Sequence, residues 1–221
     1  MEDRKYILTD ETIKFDGHTL HRIKAVKDFC DIKKDELGGW VESEANLSQE
    51  DECWVYDEAK VFGKAKIYGN ATVCDCVCVF DNAEVYENAE ITYNARIYDN
   101  AEIFGNASIN GDAEIYGDTE ICGDVVVADY ACIYGGVFIC GNAEIGGDAV
   151  IKSNKDYAVY QNTWSSFRYF TWTRSNNKWR VGCFYGTGEE LIKKAYEDSK
   201  VSGKCYKAIV KAQEVIMANV K

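Results

Sequence analysis

The chain has 221 residues, 25 Lys+Arg against 37 Asp+Glu for a net charge of -12, and 10 Cys, 18 Gly, 15 Tyr and no Pro. An apolar share of 47% with 13% aromatics excludes a disordered chain despite that charge. No apolar run is long enough for a membrane helix, and Met-Glu-Asp-Arg-Lys is no signal peptide. A cytoplasmic protein with no membrane role is therefore expected, its cysteines thiols rather than a disulfide framework. The acidic balance disfavours nonspecific binding to nucleic acid.

Residues 1–52 carry 14 acids and 8 bases. Tyr6-Ile7-Leu8 and Ile13 to Leu20 predict a strand pair turned at Asp16-Gly17, and Leu37-Gly38-Gly39-Trp40-Val41 leads toward a repetitive stretch that begins at residue 53. This segment is expected to be a small N-terminal β cap.

A repeat dominates residues 53–152. From Val55 to Ile151 every sixth residue is Val or Ile, 17 times in succession. Two positions before each stands a small or apolar residue, Ala in 12 of the 17 cases. The unit is Ala-x-Ile-aromatic-Gly-Asn/Asp, as in Ala65 to Asn70. Residues two apart point to one side of a strand, and the Gly/Asp-Asn/Asp pair turns the chain because those residues tolerate positive φ. Each unit is predicted to be a strand of about four residues and a corner, and it must stack on its neighbours to bury its face. The absence of proline fits a ladder in which every N–H is needed.

Stacked, the repeats display columns. Phe62, Phe80, Tyr98, Tyr116 and Tyr134 form an aromatic stripe, expected to be a partner or subunit interface. Glu84, Glu102 and Glu120 form an acidic column above Lys66, and with Glu114 they are expected to face a partner with a basic surface. This stretch holds 17 acids and 5 bases. Such a rod with regularly spaced carboxylates could imitate the phosphates of a nucleic acid. Cys74, Cys76 and Cys78 lack the four-ligand knuckle spacing of a zinc site, so no metal and no cofactor is implied.

Residues 153–221 reverse the charge, with 12 bases and 6 acids. Phe167–Arg174 and Lys178–Tyr185 flank Ser175-Asn176-Asn177, a hairpin signal. Its Arg168, Trp172, Arg174, Lys178, Trp179 and Arg180 have the composition of a nucleotide or RNA surface, and nucleic acid is expected, if anywhere, here. The alternative is a half-buried hairpin with solvated charges. Thr187-Gly188-Glu189-Glu190 is a capping box opening a helix to about Ser199, and Ala208 to Val220 mark a second amphipathic helix. The segment is predicted to be a ββαα module.

The repeat resembles that of the hexapeptide-repeat proteins, whose pattern is aliphatic, any three, small, any. The resemblance implies a mainly β fold, a left-handed parallel β-helix with 18 residues per coil, so residues 53–152 give roughly five and a half coils. It also implies a homo-oligomer, dimer or trimer. The best-known relatives are acyltransferases using acyl-CoA or acyl carrier protein, with a histidine base on the helix flank. This chain has only His18 and His21, both in the cap segment, and no loop interrupts its repeats. The expectation is therefore a chain without catalytic residues, not an enzyme.

More closely, Leu8 to Ala25, Asp35 to Glu42 and Gly182 to Thr187 resemble segments of uncharacterised single-chain repeat proteins of phages, prophages and gut bacteria. That resemblance implies a mobile-element context in a bacterial host. The leading expectation is a non-catalytic, phage-derived inhibitor of a host defence or nucleic-acid-handling protein, acting through the acidic, aromatic-striped face. The alternatives are a nucleotide or RNA sponge working through the C-terminal hairpin, and a hexapeptide-type acyltransferase.

Overall fold

A computed structural model describes residues 4–219. The chain opens with β1 (Tyr6–Phe15) and β2 (His18–Ala25), an antiparallel hairpin turned at Asp16-Gly17 as the sequence predicts. Strand β3 (Leu37–Val41) pairs antiparallel with β2 and parallel with the second rung, so it is a junction between cap and coil. Gly38 and Gly39 are required at this junction. A Cβ on Gly38 would come within 2.6 Å of the Trp54 ring, and one on Gly39 within 2.6 Å of Ala59 O.

Seventeen two-residue strands follow, β4 to β20, from Trp54–Val55 to Val150–Ile151. They stack in three parallel sheets, each strand paired with the one 18 residues on, as Ile97 with Ile115. The result is the expected left-handed parallel β-helix, with about six coils. The extra half coil comes from β3 and the Glu44–Asn46 turn, which lie under the repeats although they lack the repeat pattern. The strands are shorter than predicted because corners take the remaining positions. One residue per corner adopts positive φ: glycine, an acid such as Asp75, Asp81 and Asp99, or in one corner Tyr93. At Gly105 this conformation coincides with close approach, since an added Cβ would lie 2.6 Å from Gly123 N one coil above.

The alternation of Ala and Ile fills the interior, with Ala95, Ile97, Ala113 and Ile115 all 0% exposed. Alternate backbone N–H groups along the rungs point toward the next coil, and those between them point back. Lys66 N donates to Ala83 O at 2.9 Å and Tyr68 N to Val85 O at 3.1 Å. The corner acids extend that ladder, for Asp75 Oδ2 accepts from Tyr93 N at 2.8 Å and Asp129 Oδ2 from Gly147 N at 2.8 Å.

The C-terminal part is larger than a hairpin. Strands β21 (Tyr157–Gln161), β22 (Tyr169–Thr173), β23 (Lys178–Val181) and β24 (Phe184–Gly186) form one antiparallel sheet. The short β21 stands outside the predicted hairpin, although Ser153-Asn154 before it and Asn162 after it are turn formers. Helix α1 (Gly188–Asp198) starts at Thr187, whose hydroxyl accepts from Glu190 N, and α2 (Lys200–Asn219) packs beside it. Phe170, Trp172, Trp179, Leu191, Tyr206 and Val210 form a second core between sheet and helices. No helix among the described residues is long and apolar enough to cross a membrane.

Candidate active site

The N-terminal hairpin does more than close an end. A small cluster of Leu20, Trp40 and Phe62, joined by Ile13, Phe15 and Phe80, fastens it along the flank of the first coils. This docking brings His18 onto that flank. Its ring packs on Phe62 with centroids 4.9 Å apart. His18 Nδ1 lies 2.9 Å from Glu42 Oε1, and Glu42 Oε2 accepts from Gly63 N at 2.8 Å. The hydrogen bond from His18 holds the Glu42 carboxyl below its ordinary range. With Nδ1 engaged, Nε2 is the free ring nitrogen, on a side chain 37% exposed. His21 differs, since its Nδ1 faces the Thr9 carbonyl at 3.2 Å.

Phe62 is also a wall of a cleft of about 460 Å³, completed by Phe15, Asp16, Cys76, Cys78, Phe80, Asn94 and Arg96. Two cations border it. Lys60 Nζ lies 5.1 Å from the Phe15 ring and the Arg96 guanidinium 5.6 Å from Phe80. Four of the five bases in residues 53–152 precede Ile97, so the acidic rod is least acidic beside this cleft. Burial pushes the Cys78 thiol up, which makes it a poor nucleophile and a lining group.

The aromatic stripe is an in-register stack. Phe62, Phe80, Tyr98, Tyr116 and Tyr134 follow one another at 4.8–5.1 Å with ring planes within 3–7°. The hairpin covers its lower end, leaving Phe62 3% exposed. Glu84, Glu102 and Glu120 do share one column, whereas Glu114 belongs to a different sheet beside Arg96. The column finds partners within the chain. Glu84 accepts from Lys66 at 2.8 Å and from the Tyr68 hydroxyl at 2.9 Å, and Glu102 accepts from Tyr86 at 3.1 Å. The Lys66 ammonium and the Tyr68 hydroxyl hold the Glu84 carboxyl low. For Glu84 and Glu102 the electrostatic cost that motivates an external cation is offset inside the protein.

The six hairpin residues are dispersed. Trp172 and Trp179 are 4% and 2% exposed, cross-strand neighbours in the second core. Arg180 turns onto the β-helix, 3.1 Å from Asp129 and 3.8 Å from Glu144. Arg168 lines a groove against α1, and Arg174 and Trp172 line a separate cleft between sheet and helices. Lys178 lies on β23, opposite Thr173.

No protein-family model matches the chain. The uncharacterized acetyltransferase YdcK of Escherichia coli (strain K12) is 40% identical to it over 62 residues, which is 24% of this chain and 19% of that protein. The match thus spans about a fifth of its relative's length. It overturns the expectation of a non-enzyme, and the fold explains why the sequence misleads. His18 is discounted in the sequence because it lies in the cap segment, whereas the cap folds back onto the helix flank. Glu42 escapes sequence reasoning altogether. The antiparallel pairing of β2 with β3, His21 opposite Val41, is the signal that brings the two side chains together.

Proposed function

We propose that the protein is an acyltransferase of the hexapeptide type, with His18 as general base. The carrying observation is the His18–Glu42 pair at 2.9 Å on the flank of a β-helix. The similarity to a protein named as an acetyltransferase supports the same reading. Glu42 fixes the tautomer, so that Nε2 presents a lone pair to the hydroxyl or amine of an acceptor. The acceptor's oxygen or nitrogen attacks the thioester carbonyl of an acyl-CoA or acyl carrier protein as Nε2 takes its proton. The carbon–sulfur bond then breaks, and the departing thiolate takes the proton from the imidazolium. The cleft beside Phe62 is the place for the thioester arm, and Lys60 and Arg96 supply the positive charge that phosphates prefer.

The test is chromatographic detection of CoA released from acetyl-CoA in the presence of a panel of sugar and amine acceptors. H18N is expected to lower turnover by about 10²–10⁴-fold, the usual contribution of a positioned base. Release that is equal in H18N and the parent protein, or absent with every acceptor, rejects the proposal.

A further inference from the structure

A second cleft lies in the C-terminal part, beyond the last coil. It measures about 560 Å³ and opens between the sheet and the two helices, lined by Trp172, Arg174, Trp179, Gly188, Gln213 and Met217 among others. The hairpin and His18 sit at the first coils, and five inter-coil steps separate β5 from β20 in their shared sheet. At about 4.8 Å a step the cleft stands some 24 Å from the His18 flank, too far to hold a reacting group.

Two side chains in it are almost wholly buried yet carry an unused donor. Trp179 is 2% exposed and Gln213 5% exposed. Gln213 Oε1 accepts the Tyr160 hydroxyl, whereas its Nε2 has no hydrogen-bond partner among the described residues. Trp179 Nε1 likewise has none, in contrast to Trp172 Nε1, which donates to Asn177 at 2.9 Å. The side-chain nitrogens that are sealed from solvent without a partner are those of Trp54 and Trp164. Trp179 Nε1 and Gln213 Nε2 therefore stay open to the cleft they line. Beside them Gly188 leaves space, for a Cβ there would lie 3.3 Å from Trp179 Nε1 and 2.6 Å from Val210. Buried donors without acceptors are costly, and a ligand acceptor removes that cost.

We infer that this cleft binds a guanine nucleoside. Its floor offers two N–H donors, its walls are Trp172, Val210 and Met217, and its rim carries the carboxylates of Glu189 and Glu214. Guanine matches that arrangement. O6 and N7 accept the two donors, N1–H and the exocyclic amine donate to a carboxylate, and the ring faces are apolar. Adenine offers an amine where O6 stands, which leaves one buried donor unpaired. Arg174 also lines the cleft and Glu214 pairs with Lys211 at 2.6 Å, so the base rather than a phosphate carries the recognition. The inference is independent of acyl transfer, because it uses none of the residues around His18.

Guanosine titrated into the full-length protein is expected to give saturable binding by calorimetry and to shift the Trp179 indole N–H resonance. Adenosine should bind about tenfold more weakly, and Q213L should weaken guanosine by about tenfold, as expected for one lost buried hydrogen bond. Absence of saturable binding to the wild-type protein overturns the inference, and this outcome does not depend on how Q213L folds. So does equal affinity for adenosine, tighter binding of a guanine-containing RNA, or saturation that leaves the Trp179 indole unmoved.

Discussion

The two ends of the β-helix are closed by different sets of side chains. Alternate residues of a rung turn their N–H and C=O groups toward opposite ends, so each end coil is left with both bare carbonyls and bare N–H groups. The protein closes them with matching chemistry. At the first coil bare carbonyls meet donors: Asn46 Nδ2 to Ala65 O at 2.9 Å, the Tyr6 hydroxyl to Leu47 O at 2.7 Å, and Lys5 Nζ to Cys53 O at 2.9 Å. Lys5 is 1% exposed, and burial holds its ammonium below the ordinary range. At the last coil bare N–H groups meet acceptors, Thr171 Oγ1 from Glu144 N at 2.8 Å, Ser175 Oγ from Val150 N at 2.7 Å and Asn154 Oδ1 from Phe138 N at 3.0 Å, while the Tyr157 hydroxyl donates to Phe138 O at 3.2 Å. Donor caps serve the bare carbonyls and acceptor caps the bare N–H groups of each open coil.

The body between them is indifferent to direction, and it gives the largest expected stability effect. Ile97→Ala removes a fully buried side chain between two coils and should destabilise by about 2–5 kcal/mol in a denaturant titration. The same measurement then distinguishes the ends. Thr171→Val strands the Glu144 N–H and should cost about 1–3 kcal/mol. Tyr6→Phe only leaves the Leu47 carbonyl less well satisfied and should cost about 0.5–1.5 kcal/mol. If Tyr6→Phe costs as much as Thr171→Val, the contrast between stranded donors and under-used acceptors fails.

That asymmetry marks the limit of what the sequence discloses. The body is legible because one period of six repeats 17 times, and alternation alone assigns Ala and Ile to the interior. The caps obey no period. Asn46, Lys5 and Thr171 are single polar residues whose partners lie 19 to 48 residues away, which no local pattern encodes. The candidate site is hidden for the same reason. His18 and Glu42 are 24 residues apart and meet only when the cap docks on Phe62. The acidic column is visible as a column, but the Tyr68 and Tyr86 hydroxyls that engage it come from neighbouring positions in the coil, two residues after the Lys66 and Glu84 that share the column. Where the fold is repetition, sequence suffices. Where it is closure, three-dimensional pairing decides.

Alkaline titration probes the body and one end together, with the smallest expected effect. Burial first, then hydrogen bonding to Glu102, pushes the Tyr86 phenol up to about 12 from an ordinary 10.0, and burial raises Tyr6 as well. A group whose folded pKa is raised stabilises fully below its unfolded value and loses that contribution as pH rises through the folded one. Thermal stability should therefore be flat up to about pH 9 and decline from pH 10 toward 12, as the unfolded chain releases phenolic protons the native chain retains. Tyr6→Phe removes one contributor and should make that decline shallower, whereas Thr171→Val lowers stability by the same amount at every pH. Melting curves followed by circular dichroism between pH 8 and 11 separate the two. Parallel declines in both variants would show that the phenol at the donor-capped end is not held in its neutral form by the fold, and that its bond to Leu47 O adds nothing to the closure of that coil.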